Sequence, residues 1–209
     1  MVSRLRPEGR QRRSIRLRGY DYAGAGAYFL TICTHERSNW FGDVENGVMI
    51  LNVFGQIVRE EWLLSADIRA EIELGDYVIM PNHLHGIVWI VAVEDRGVRP
   101  INVGATGRSP LHAHASAPIP TGPPPKSIGA FVAGFKSAAT KRINQIRQTP
   151  GVPVWQRNYY EHVIRNESDY RRIAEYIDQN PQRWATDSLN PINVPQLCRG
   201  DRPVAPTDG

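Results

Sequence analysis

From Tyr77 to Ile90 the chain reads Tyr-Val-Ile-Met-Pro-Asn-His-Leu-His-Gly-Ile-Val-Trp-Ile. β-Branched and aromatic side chains fit a pleated, half-buried surface and crowd a helix, so the spacing predicts strands at about 71–80 and 83–92. Strands so closely joined pair antiparallel, and a chain committed to that pairing builds its core on a sheet. Successive strand side chains alternate faces, so His83 and His85 project to the same side, roughly 7 Å apart along the backbone. Two imidazoles aimed into one space can hold a divalent metal through neutral nitrogens. The same spacing also describes two polar side chains on the solvent face of a half-buried sheet. The strand alone does not choose between them.

A second constellation follows in Trp155-Gln-Arg-Asn-Tyr-Tyr-Glu-His162 and the helical segment after it. Ser168 is a plausible N-cap, and Tyr170, Ile173, Ala174 and Ile177 fall at i, i+3, i+4 and i+7 on one apolar stripe. Pro181 disfavours helical geometry in its predecessor, which ends the helix near Asn180. Tyr170 lies mid-stripe and reads as core, whereas Tyr176 sits well off it, with Asn180 one turn later on the same side. A tyrosine with an amide oxygen one turn away can place a nucleophile beside a metal ligand.

Around these motifs, Tyr28 to Cys33 reads as a first strand. Residues 40–51 form a hairpin turned at Asn46-Gly47, and Asn52 caps a helix with Phe54, Ile57, Val58 and Trp62 inward. Residues 94–126 are rich in Pro, Gly, Ala and Ser without periodicity, which predicts a surface loop. His112 and His114 lie within it, and their His-x-His spelling lacks a scaffold to fix ligand geometry. A helix over about 127–147 follows, with Lys136, Lys141, Arg142 and Arg147 as its positive charges. The order β-α-β-β-α with antiparallel pairing predicts an α+β sandwich, its helices over one face.

Three motifs, Met80-Pro-Asn-His-Leu-His-Gly86, Trp155 to His162, and Tyr176-Ile-Asp-Gln-Asn-Pro181, together resemble the single-tyrosine HUH transposases. Within these the chain is similar to the REP-associated tyrosine transposases, over roughly residues 16–187. One departure is Asn180, where many insertion-sequence transposases carry glutamine. The resemblance implies a ferredoxin-like fold, the histidine strand central and the tyrosine helix lying across the site. It implies Tyr176 as catalytic nucleophile and His83, His85 and Asn180 as ligands of Mg²⁺ or Mn²⁺. It also implies single-stranded DNA beside a hairpin as partner, and a 5′-phosphotyrosine with a free 3′-hydroxyl as the cleavage product. Affinity order alone would let the imidazoles take Zn²⁺ instead.

Composition places this reading in a cell. A chain of 209 residues, 41% of them hydrophobic, buries one core, so one domain is expected over 19–187. The net charge of +4 is unevenly spread: Arg4, Arg6, Arg10, Arg12, Arg13, Arg16 and Arg18 face only Glu8 in the first 18 residues. Such a basic arm, 1–18, suits phosphate backbones. A proline-spaced tail, 188–209, closes the chain. Cys33 and Cys198 form no disulfide framework, and no segment reaches membrane-spanning length, which fits a cytoplasmic, nucleoid-associated protein, monomer or homodimer. Arg12, Arg13, Arg16, Arg18, Lys136, Arg142, Trp155, Arg157, Tyr159 and Tyr160 are the candidate DNA contacts, by charge or by base stacking. A catalytically silent hairpin-binding protein and a His-x-His metallohydrolase stand as alternatives.

Overall fold

The structure, a computed structural model, describes residues 24–92 and 123–193. The arginine arm, most of the 94–126 loop with His112 and His114, and the tail beyond 193 lie outside the described residues.

Four strands form the main sheet: β1 (Gly26–Cys33), β4 (Ile72–Met80), β5 (His83–Ile90) and β6 (Tyr160–Ile164), in the order β4-β5-β1-β6. Every neighbouring pair is antiparallel. Helices α1 (Val53–Ile68) and α2 (Ile128–Arg147) provide the crossovers, so β1-α1-β4-β5-α2-β6 is a ferredoxin-like βαββαβ unit with the histidine strand central. A small hairpin, β2 (Gly42–Glu45) and β3 (Val48–Leu51), precedes α1, and α3 (Glu167–Gln179) follows β6. β6 lies inside the aromatic block, which had read as a motif without an assigned element.

Local chemistry accounts for the joints. Asn46 and Gly47 both take positive φ, the two-residue turn that matches strand twist. Asn52 caps α1, its side-chain oxygen accepting from the Phe54 and Gly55 amides at 2.9 and 3.1 Å. Ser127 caps α2 by accepting from the Ala130 amide. The expected Ser168 cap is corrected: Asn166 caps α3, accepting from the Asp169 amide at 2.8 Å, so Ser168 lies in the first turn.

The expectation of helices over one face is also corrected. Tyr28, Leu30, Ile32, Leu84 and Val88 meet Trp62, Phe131 and Phe135 of α1 and α2 in the larger core. The alternate residues Phe29 and Ile87 pack against Ile173 and Ile177 of α3 on the opposite face. A sheet covered on both sides buries both its residue sets, and His83 and His85 belong to the set under α3. The packed unit also runs past the expected boundary at 187, because Leu189 and Asn190 are buried.

Gly86 marks how closely the larger core is fitted. A Cβ there would lie 2.5 Å from Trp62 Cζ2, inside contact distance. Gly86→Ala should therefore destabilise the fold by about 1–3 kcal/mol, the usual cost of overpacking, read as a lowered denaturant midpoint.

Candidate active site

His83 and His85 pair across β5 and β1 with Cys33 and Thr31 and are wholly buried, 0% exposed. The solvent-face alternative is therefore excluded: α3 covers that face. Their ring centroids are 4.4 Å apart, closer than the backbone repeat, because the rings tilt together.

Hydrogen bonds fix what each ring nitrogen offers. Asn82 Nδ2 donates to the carbonyls of Arg37 and Leu189 at 3.0 and 2.8 Å. Its Oδ1 is thus the atom 2.8 Å from His83 Nδ1, and an amide oxygen only accepts, so the proton sits on His83 Nδ1. His83 Nε2 is left as a bare lone pair, buried and without a hydrogen-bond partner. His85 Nδ1 lies 2.9 Å from Thr31 Oγ1, and its Nε2 is 3.3 Å from the Tyr176 hydroxyl. With Tyr176 donating, His85 also carries its proton on Nδ1. Asn180 is 1% exposed, its Nδ2 directed at Asp187 Oδ2, 3.4 Å away, and its Oδ1 buried without a partner.

Two nitrogen lone pairs and an amide oxygen, the second and third of them joined to Tyr176 by contact or by one helical turn, make a set that fits a divalent cation. Buried acceptors without donors are costly unless something positive meets them. A Nδ1 proton held by a neighbouring oxygen is also how metal-ligating histidines are usually oriented.

Electrostatics agree. Burial holds both histidines neutral: His83 is pushed well below its ordinary 6.5, with His85 as the next contributor, and His85 falls to about 3. Tyr176 is pushed up to about 12, by burial first and the Asp187 charge second. In the unfolded chain the histidines protonate near pH 6.5, so below that the unfolded state binds more protons and stability falls. The loss runs from pH 6.5 down toward about 3, at most about 1.4 kcal/mol per pH unit for each histidine, and vanishes above 6.5. Urea melts in chelator between about pH 7 and pH 4 should show it, with a shallower slope in His85→Gln.

Not all the expected contacts gather here. Trp155 is only 7% exposed and packs on Phe41 and Phe135, so it has no free face for a base. Arg142 is held by Glu60 and Glu61 of α1. Lys136, pushed down to about 8 by burial, donates to the carbonyls of Gln156 and Asn158. These three tie elements together. Tyr159 sits under Lys136 on the α2 side, while Tyr160 packs against Phe29 on the histidine side. Arg157 is exposed and lines an open groove of about 790 Å³ with Lys141 and Gln148, beside α2. His162 pairs with Asp169 at 2.9 Å. Arg12, Arg13, Arg16 and Arg18 lie outside the described residues.

Sequence reasoning missed Thr31, Asn82, Asp187 and Trp184, whose ring centroid lies 6.0 Å from that of His83. Asn82 adjoins His83, so its place in the motif was a usable signal. Asp187 had none. Beside them Glu36 and Arg37 both take positive φ, 55° and 56°, strain of order 1–3 kcal/mol each that is typical of functional loops. The Asn82 bond to the Arg37 carbonyl helps to hold it.

The ferredoxin-like arrangement of this chain is similar to the fold of a REP-associated tyrosine transposase. One such protein, solved bound to a REP hairpin, superposes with a TM-score of 0.50 at 19% identity, covering 92% of this chain and all of that one. A candidate transposase from Deinococcus radiodurans matches at 19% identity over 78% of this chain and 95% of its own, with a TM-score of 0.35. No family model matches. In sequence, an uncharacterized protein of Haemophilus influenzae is 38% identical over 178 residues, 85% of this chain and 92% of that one, and the chain belongs to its family.

Proposed function

We propose that the protein is a metal-dependent endonuclease and strand transferase that cleaves and rejoins single-stranded DNA beside hairpins, such as repetitive extragenic palindromes. The observation that carries this reading is the Tyr176 oxygen 3.3 Å from His85 Nε2, with His83 Nε2 and Asn180 Oδ1 buried and unpartnered nearby. His83, His85 and Asn180 would hold Mg²⁺ or Mn²⁺, which supplies Lewis-acid polarisation of the scissile phosphate.

The chain's own residues do the rest. Tyr176, raised to about 12, is a poor nucleophile while its hydroxyl donates to His85. One nitrogen lone pair cannot serve both a ligand bond and that hydrogen bond, so a cation held by His85 would leave the Tyr176 hydroxyl free to meet phosphate. The Tyr176 oxygen then bonds to phosphorus as the bond from phosphorus to the 3′-oxygen breaks. The tyrosine proton leaves to solvent and the departing 3′-oxygen is protonated. One phosphodiester replaces another, so attack by a new 3′-hydroxyl reverses the step without a nucleotide cofactor.

The His-x-His hydrolase gains no support, since no three His, Cys, Asp or Glu side chains gather at a metal-holding distance among the described residues. No helix among them is long and apolar enough to cross a membrane. The test is incubation with an oligonucleotide carrying a hairpin and single-stranded flanks, in Mn²⁺. A covalent protein–DNA adduct supports the proposal. Hairpin binding without an adduct would leave the silent binding protein, and metal-driven hydrolysis without an adduct would leave the hydrolase.

A further inference from the structure

The turn after α3 reaches the histidine pair from two sides. Asp187 Oδ1 accepts from the Leu189 amide at 2.6 Å, and the Asp187 carbonyl accepts from the Asn190 amide and Asn193 Nδ2, at 3.1 and 3.0 Å. From this braced turn, the Leu189 carbonyl takes one Asn82 hydrogen and so helps to aim Asn82 Oδ1 at His83. Asp187 Oδ2 takes the Asn180 amide hydrogen. Asn82 is aimed by two carbonyls. Asn180 Nδ2 has the Asp187 carboxylate as its hydrogen-bond acceptor, while Asn180 Oδ1 is buried without a donor.

We infer that Asp187 is a positioning residue: by accepting from Asn180 Nδ2 it turns the Asn180 oxygen toward His83 and His85 and makes that oxygen available as a ligand. An amide has one donor end and one acceptor end, and a 180° flip exchanges them with little change in shape. A flipped Asn180 would present N–H groups to the bare His83 Nε2 lone pair, satisfying it and closing the site to a cation. A carboxylate at 187 forbids the flip because it cannot donate. No geometric feature of Asn180 itself prevents it. The same carboxylate caps its own turn through Leu189, so one residue couples the turn's shape to the state of the site.

The inference rests on the metal reading above, and Asp187→Asn separates its two jobs. The new amide oxygen can still accept from Leu189, keeping the turn, but its NH₂ now faces Asn180 and favours the flipped amide. Mn²⁺ titration of the full chain, followed by calorimetry or by loss of the free-ion spin-resonance signal, should show affinity falling by about 10–100-fold, the usual effect of removing a supporting partner. The melting midpoint should stay near that of the wild type. In the Asn180→Asp background, where an oxygen faces the histidines either way, the same change should weaken Mn²⁺ binding little or not at all. This non-additivity is the signature of action through Asn180. Should Asp187→Asn not fold, Asp187→Ser keeps a turn cap without the second oxygen and should show the same background-dependent loss. Wild-type affinity in Asp187→Asn, or an equal loss in both backgrounds, would overturn the inference and leave the metal reading standing. A wild-type protein that binds no Mn²⁺ would overturn both.

Discussion

Tyr176→Phe protein is expected to fold, to bind hairpin DNA nearly as the wild type does, and to form no covalent DNA adduct. The substitution removes one oxygen from a partly buried ring that keeps its edge contact with Phe29, centroids 6.1 Å apart. It breaks one long hydrogen bond, 3.3 Å to His85, worth at most about 1 kcal/mol. Stability should therefore barely move. In the proposed reaction the lost oxygen is the one that bonds to phosphorus, so adduct formation should fall by about 10³-fold or more. The other tyrosines of this region cannot replace it. Tyr159 is on the α2 side of the sheet, across from the histidines. Tyr170 donates to Asp76 at 2.8 Å and sits six residues back along α3, roughly 9 Å away at the helical rise. Tyr160 shares the histidine face but packs its ring on Phe29. Mass spectrometry of a trapped adduct should place the nucleotide on the peptide containing Tyr176. Finding it on Tyr159 or Tyr160 would overturn the assignment.

His83→Ala and His85→Ala should each abolish cleavage while hairpin binding survives, because under the proposed function the histidines would act through a cation on the scissile phosphate and not on the stem. The two differ in structural cost. His83→Ala leaves Asn82 Oδ1 without its donor. His85→Ala strips partners from Thr31 and Tyr176 and opens space beside Phe29, whose ring stacks on it at 5.3 Å. A loss of about 1–3 kcal/mol is expected, the larger for His85. Folding must therefore be checked by circular dichroism before activity is read. With fold intact, Mn²⁺ affinity and cleavage should vanish together, and a chelator should silence the wild type as completely. Full cleavage by either variant, or wild-type cleavage unaffected by chelator, would sink the two-histidine site.

Much of this was legible because its cause is local. Strand alternation puts His83 and His85 on one face, the helical repeat puts Tyr176 and Asn180 on one side, and Asn46-Gly47 and Asn52 carry their own turn and cap chemistry. The three motifs added the fold, which the β4-β5-β1-β6 order bears out. What only the tertiary structure decided is non-local. Alternation says that two side chains share a face but not what covers it, and α3 crossing the sheet made the histidines buried and neutral. A tryptophan in an aromatic block and arginines on a polar helix face look alike whether they meet DNA or the protein. In the structure Trp155 packs against Phe41 and Phe135, and Arg142 pairs with Glu60 and Glu61. Asp187 reaches Asn180 only because the chain turns back after Pro181. Periodicity ends where a helix does, and such a contact depends on the path of the backbone, which no local pattern encodes.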